Sequence, residues 1–139
     1  MDHDVVDAKA IADADSPFGR WLGAKLTHVS RGRVAAEFVV REEMINRNGV
    51  LSGGAIMALA DNLGGTATII NLPAGATTST IESKTNFFAS CRLGERILTE
   101  TTPLHRGRST MVWQTTITRG DGKLAAIVTQ TQIVMPGKR

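Results

Sequence analysis

The stretch GGAIMALADNLGGTATII, residues 53–70, decides the fold. It holds no proline, and Asn71-Leu72-Pro73-Ala74-Gly75 closes it, because Pro73 cannot extend helical hydrogen bonding. The pattern predicts one long helix from Gly53 to Ile70. At 100° per residue, Ile56, Leu59, Ala60, Leu63, Ala67 and Ile70 fall within a stripe of about 100°. The opposite side carries Gly54, Met57, Ala58, Gly64, Gly65 and Thr68 instead of a charged face. Asp61 is the one charge in the stretch. A helix that is apolar or small all round is expected to be buried all round. One small sheet covers one side of it, so a partner chain is the simplest cover for the other.

On either side of this helix the texture is β-like. Leu26–Val29 and Val34–Val40 flank the hairpin signal Ser30-Arg31-Gly32-Arg33. After the helix come Thr77–Phe88, Arg96–Leu104, Thr110–Thr118 and Leu124–Met135, rich in Thr, Ile and Phe. Asp121-Gly122 marks the last hairpin. Ahead of everything, Val5, Ala8, Ile11 and Ala12 share one face, which predicts a short helix within residues 4–15. Ser16-Pro17-Phe18-Gly19 is expected to end it. The segment 1–15 reads as a helical or mobile lead-in to one domain spanning 1–139. The fold class is α+β, with a largely antiparallel sheet.

Composition narrows the partners. The chain has 139 residues, 42% hydrophobic and 21% charged, as a globular chain does. Sixteen cations and thirteen carboxylates leave a net charge of +3, scattered along the chain, which neither requires nor excludes nucleic-acid binding; the partner expected is a small molecule, not a nucleic acid. The single cysteine, Cys91, excludes an internal disulfide and fits a reducing, cytoplasmic setting. No apolar run approaches the ~20 residues of a membrane span. No Cys/His cluster offers a metal site.

Asp61 carries the chemistry. A carboxylate on a face of small residues is costly to bury. No Lys or Arg lies within two turns to pair with it. A general base or nucleophile beside room for a substrate explains it. At the start of the same helix, Ser52 is a good N-cap, and Gly53-Gly54 leave the first-turn N–H groups unshielded. Those donors, with the helix dipole, suit a developing oxyanion. Gly54 lies about 20° from Asp61 around the helix axis. Glu82 is the rival carboxylate, expected on the same strand face as Thr80, with Lys84 positioned to pair with it.

The run Asn46-Arg47-Asn48-Gly49-Val50-Leu51-Ser52-Gly53-Gly54 through to Asp61 resembles the hotdog-fold acyl-CoA thioesterases. The group it is most similar to is the phenylacetic-acid-degradation type, related to the 4-hydroxybenzoyl-CoA thioesterases. Weaker similarity runs from Ser16-Pro17-Phe18 to Met135. It includes Leu93-Gly94-Glu95, His105-Arg106-Gly107-Arg108 and Asp121-Gly122-Lys123-Leu124. The resemblance implies a curved antiparallel sheet wrapped around the central helix. It implies a homodimer joined edge to edge, paired again into a homotetramer, with the site at the dimer interface. It implies Asp61 as catalytic carboxylate and the Gly54 N–H as the group polarising the thioester carbonyl. Asn46, from the other subunit, would place the water or the thioester, and the Thr80 hydroxyl would orient water. Coenzyme A would enter as part of an acyl-CoA substrate, with no separate cofactor. Gly53, Arg106, Gly107 and Arg108 would contact that substrate, the arginines meeting phosphates with their fork geometry.

One residue departs from the pattern. The family has His before the Gly-Gly pair, and this chain has Ser52. Serine can cap the helix but does not titrate near neutral pH. Thioester hydrolysis is therefore weighed against a non-catalytic acyl-CoA-binding protein of the same fold. A hydratase ranks third, since none of His3, His28 and His105 lies on the helix. Arg92 beside Cys91 is a cation that would lower the thiol pKa. Trp21, Trp113, Phe87 and Phe88 read first as core residues, with the lining of an acyl pocket as the alternative.

Overall fold

The computed structural model describes residues 5–137. Two short helices, α1 (Ala8–Asp13) and α2 (Pro17–Leu22), lead into the hairpin of β1 (Lys25–Ser30) and β2 (Arg33–Val39). A 3-10 turn, Glu42–Met44, precedes the long helix α3 (Gly53–Ile69). Four strands follow: β3 (Thr77–Phe87), β4 (Arg96–Arg106), β5 (Thr110–Thr118) and β6 (Leu124–Met135). His3 lies outside the described residues, as do the first four residues of the N-terminal segment.

The expected helix within residues 4–15 is shorter than its apolar pattern, beginning where Asp7 accepts from the N–H groups of Lys9 and Ala10. Ser16-Pro17 does not only end it; it starts α2. Ser16 Oγ accepts from Gly19 N–H, and Pro17 takes the first helical position, where its missing donor costs nothing. A serine followed by proline reads as a break or as a cap, and here it is both.

All strand pairs are antiparallel, in the order β1-β2-β4-β5-β6-β3. Helix α3 packs against β2, β3, β4, β5 and β6. Strands lie about 4.8 Å apart and a helix is about 10 Å thick, so five strands reach one helix only by curving around it. Register shifts at Leu26/His28, Thr80/Glu82 and Pro103/His105 introduce bulges that bend strands in this way. The hotdog architecture expected from the sequence is present.

The core lies between α3 and the concave face of the sheet. Trp113, Phe38, Leu63, Ile97 and Val128 are buried there, each apolar side chain contributing about 1.5–3 kcal/mol by leaving water. Two residues assigned to the uncovered side of α3 are covered by the chain's own sheet. Thr68 Oγ1 accepts the indole N–H of Trp113 at 2.9 Å and donates to Gly64 O at 2.8 Å. Gly64 itself is packed so closely by Gln130 that a Cβ there would overlap the carboxamide. The surface left open is narrower: Gly54, Met57, Asp61 and Ile69 are exposed, and nothing lies within 4 Å of a Cβ built on Gly65.

Candidate active site

Asp61 stands in the middle of α3 and is exposed in the single protomer. Thr80, on β3, donates its hydroxyl to Asp61 Oδ1 at 2.7 Å. Gln132, on β6, donates from Nε2 to Thr80 Oγ1 at 2.6 Å. A carboxylate only accepts, so the Thr80 proton points at Asp61 and the hydroxyl oxygen takes the amide N–H of Gln132. The single hydroxyl proton of Thr78 is shared between two acceptors, Ile133 O at 2.8 Å and Gln132 Oε1 at 3.0 Å. These groups line a cleft of about 450 Å³, with Ile11 and Asp15 on its far wall.

The bulge at Ile81 decides which carboxylate this cleft holds. Thr80 faces Gln132 in the ladder, whereas Glu82 faces Thr131. Directly opposed residues share a sheet face, and Gln132 and Thr131, as neighbours, do not. Glu82 therefore lies on the face away from α3, not on the face of Thr80 as strict alternation predicts, and it is absent from the Asp61 cleft.

The other expected site residues occupy two further clefts. Ser52 caps α3, its Oγ accepting from Gly54 N–H at 3.3 Å. Both line a hollow of about 360 Å³ walled by Phe18, Trp21, Ala55 and Ala58. The expected oxyanion donor thus already carries a bond, though a long one. Beyond Ser52 Oγ at 3.6 Å, nothing crowds a Cβ built at Gly54, so a ligand can approach. Gly53 lies close under the Phe87 ring, whose edge would stand 3.1 Å from a Cβ built there. Asn46 lines a third cleft, with Gly53, Phe87 and Phe88. Its side-chain oxygen accepts from Asn48 N–H at 2.9 Å and Val50 N–H at 3.4 Å, shaping the loop before α3.

The structure thus joins Thr80 to Asp61, Ser52 to Gly54, and Asn46 to Gly53. It does not join these pairs within one protomer. Gly54 and Asp61 are seven residues apart, about 10 Å along the helix.

The basic turn lies elsewhere again. Arg106 ends β4 and donates to Arg31 O at 3.1 Å, so the two Arg-Gly-Arg segments meet. Gly107 is required there, because a Cβ would press on His105 Nε2 and approach Thr110 O to 2.9 Å. Arg108 is exposed in the same turn. Arg106, Met111, Gln132 and Thr80 follow one another across the ladder, which sets Arg106 three strands, about 14 Å, from Thr80.

Two other expectations are corrected. Trp113 is core, but Trp21, Phe87 and Phe88 are 54%, 52% and 57% exposed. Phe18 and Trp21 stack at 6.2 Å, and the Arg41 guanidinium lies 5.5 Å from the Trp21 ring. Cys91 is buried, and burial, followed by the Glu95 charge, pushes its thiol pKa up despite the opposing Arg119 cation. Among the described residues, no three His, Cys, Asp or Glu gather as a metal site needs.

Residues 48–126 match the thioesterase superfamily. The chain belongs to that superfamily. It is a thioester hydrolase of the hotdog fold. A protein of Saccharolobus solfataricus that carries an esterase name is 33% identical over 114 residues, 81% of this chain and 79% of its own length. A mutant thioesterase from Pseudomonas aeruginosa is 25% identical, with a TM-score of 0.88 over 94% of this chain and 95% of that one. A Streptococcus mutans protein solved with acetyl-CoA is 26% identical, with a TM-score of 0.77 over 84% of this chain and 92% of that one. The region matching the superfamily includes Ser52, Asp61, Thr80 and Arg106 but not Asn46, Gln130 or Gln132.

Sequence reasoning missed Gln130 and Gln132. Gln132 is 1% exposed and touches Thr80, while Gln130 donates to the Asp61 carbonyl at 3.4 Å. Both sit in Thr129-Gln130-Thr131-Gln132, where polar residues fill both faces and hide the alternation. Two amides at core positions of a strand were the available signal.

No helix among the described residues is long and apolar enough to cross a membrane.

Proposed function

We propose that the chain hydrolyses acyl- or aryl-CoA thioesters to the free acid and CoA at a site shared by two protomers. One observation carries this reading: Asp61 and Gly54 lie on one stripe of α3 yet line separate clefts. A carbonyl held by Gly54 and attacked by a water on Asp61 cannot sit in both clefts of one chain. Two copies of α3 crossing antiparallel about a two-fold axis set Gly54 of one against Asp61 of the other. The small residues Gly54, Ala58 and Gly65 let such helices come close.

In this reading Asp61 Oδ1 is held by Thr80, and Oδ2 takes a proton from water. The water oxygen attacks the carbonyl carbon. The oxyanion forms against Gly54 N–H at the positive end of the helix. Collapse breaks the C–S bond, and the departing CoA thiolate takes up the proton. Ser52 holds Gly54 N–H in place until substrate arrives. Asn46 and Gly53 border the substrate from the adjoining cleft, and Arg106, Gly107 and Arg108 meet the CoA phosphates. The exposed Phe18–Trp21 pair walls the hollow where the acyl group lies beside Gly54.

The test is thiol release across a panel of acyl- and aryl-CoAs. Asp61→Asn keeps the shape and removes the base, so turnover should fall ~10²–10⁴-fold, with CoA product binding retained. Full activity in Asp61→Asn would move the base elsewhere. A wild type inactive on every ester but binding CoA would favour the non-catalytic reading.

A further inference from the structure

We propose that Gln132 is a positioning residue for the hydrolytic base, acting only through the Thr80 hydroxyl. The inference rests on the reading of Asp61 as that base. Gln132 is 1% exposed and lies outside the residues that match the superfamily. Its side chain meets Thr80 at 2.6 Å, and Thr80 meets Asp61 at 2.7 Å.

The direction of these bonds supplies the argument. A threonine hydroxyl has one proton and can rotate it to any nearby acceptor. Oriented the other way, Gln132 would present Oε1 and compete with Asp61 for that proton. The Asp61 carboxylate rules this out: it can only accept, so it takes the Thr80 proton, and Oε1 turns to the other end of the amide, 3.0 Å from Thr78 Oγ1. The amide N–H of Gln132 therefore faces Thr80, occupies its lone pair and leaves Asp61 as the acceptor. One carboxylate oxygen is thereby tied, and the other is left for water. Such side-chain chains are coupled, so their parts do not contribute independently.

The test is a double-mutant cycle on thiol release. Gln132→Met keeps the volume and removes the donor, and kcat should fall ~3–10-fold, as for the loss of one hydrogen bond. KM and CoA product binding should hold, because Gln132, 1% exposed at the base of the cleft, offers a substrate almost no surface. Added to Thr80→Val, Gln132→Met should lower kcat no further. Gln132→Asn draws the amide back by one methylene and should show the same split, which keeps the test open if Gln132→Met fails to fold. Additive losses in the cycle, or an unchanged kcat in either folded Gln132 variant, would overturn the proposal. Asp61→Asn in the same assay separates the layers. If it keeps full activity, the base assignment itself has failed; if it is impaired while the Gln132 variants are not, only this inference has.

Discussion

Thr80 on the edge strand β3 donates a 2.7 Å hydrogen bond to Asp61 in the middle of α3. Nineteen residues separate them in sequence, and the bulge at Ile81 lets a strand residue reach the helix while Glu82 turns away. If this bond orients the base, Thr80→Ser should keep kcat within about three-fold, since the hydroxyl remains. Thr80→Val should lower kcat by ~10–100-fold, the range for a hydrogen bond to a charged group. Steady-state thiol release with both variants checks this; equal activity in the two would leave the hydroxyl with no role.

Ser52 shows how a departure from the family's sequence pattern is absorbed locally. Its Oγ caps α3 through Gly54 N–H. Ser52→Ala should cost about 0.5–2 kcal/mol of stability, as the loss of an N-cap does. Turnover should not fall beyond what that destabilisation explains, because Gly54 N–H is released rather than lost. Ser52→His adds a donor beside the Gly54 hollow and should raise turnover. Thermal melts paired with initial rates separate the two effects. A large rate loss in folded Ser52→Ala would give the hydroxyl a chemical role of its own.

Gly64 and Gly65 are neighbours in sequence with opposite surroundings. A Cβ at Gly64 overlaps Gln130, whereas nothing in the protomer lies within 4 Å of one at Gly65. Gly64→Ala should destabilise the fold by about 1–3 kcal/mol through overpacking. In an isolated protomer, Gly65→Ala should stabilise by up to about 1 kcal/mol, from helix propensity alone. If a second α3 covers that stripe, Gly65→Ala should instead loosen the assembly. Light scattering over a dilution series reads this directly. A tighter or unchanged assembly in Gly65→Ala would place the partner elsewhere.

How much of this was legible follows from the kind of signal each residue leaves. Helix α3 was readable from Gly53 to its end because it lacks the polar face of a surface helix. The strands were readable because Thr, Ile and Val alternate between turns, with Thr110–Thr118 buried at every second residue. Asp61 stood out as the one charge in an apolar stretch. Bulges leave no mark in alternation, so Glu82 was assigned to the wrong face. Ser16-Pro17 carries two meanings, and only packing chooses α2. Thr68 and Gly64 resembled interface residues because small side chains fit a partner helix and an intramolecular Trp113 or Gln130 equally well. Gln132 acts through a contact 52 residues away, which no local spacing encodes.

The central claim is that each site takes Gly54 from one chain and Asp61 from another. Two inactive variants decide it. Asp61→Asn lacks the base, and Gly54→Pro lacks the N–H while proline remains acceptable in a first helical turn. Each homo-oligomer should release thiol slowly. Unfolded together and refolded in equal amounts, the two chains should form mixed dimers in which one of two sites has both an intact Gly54 and an intact Asp61. Random pairing then restores about a quarter of wild-type activity. Recovery to that level is the result this account predicts. No recovery, with mixed dimers shown to have formed, would contradict it and return the whole site to a single chain.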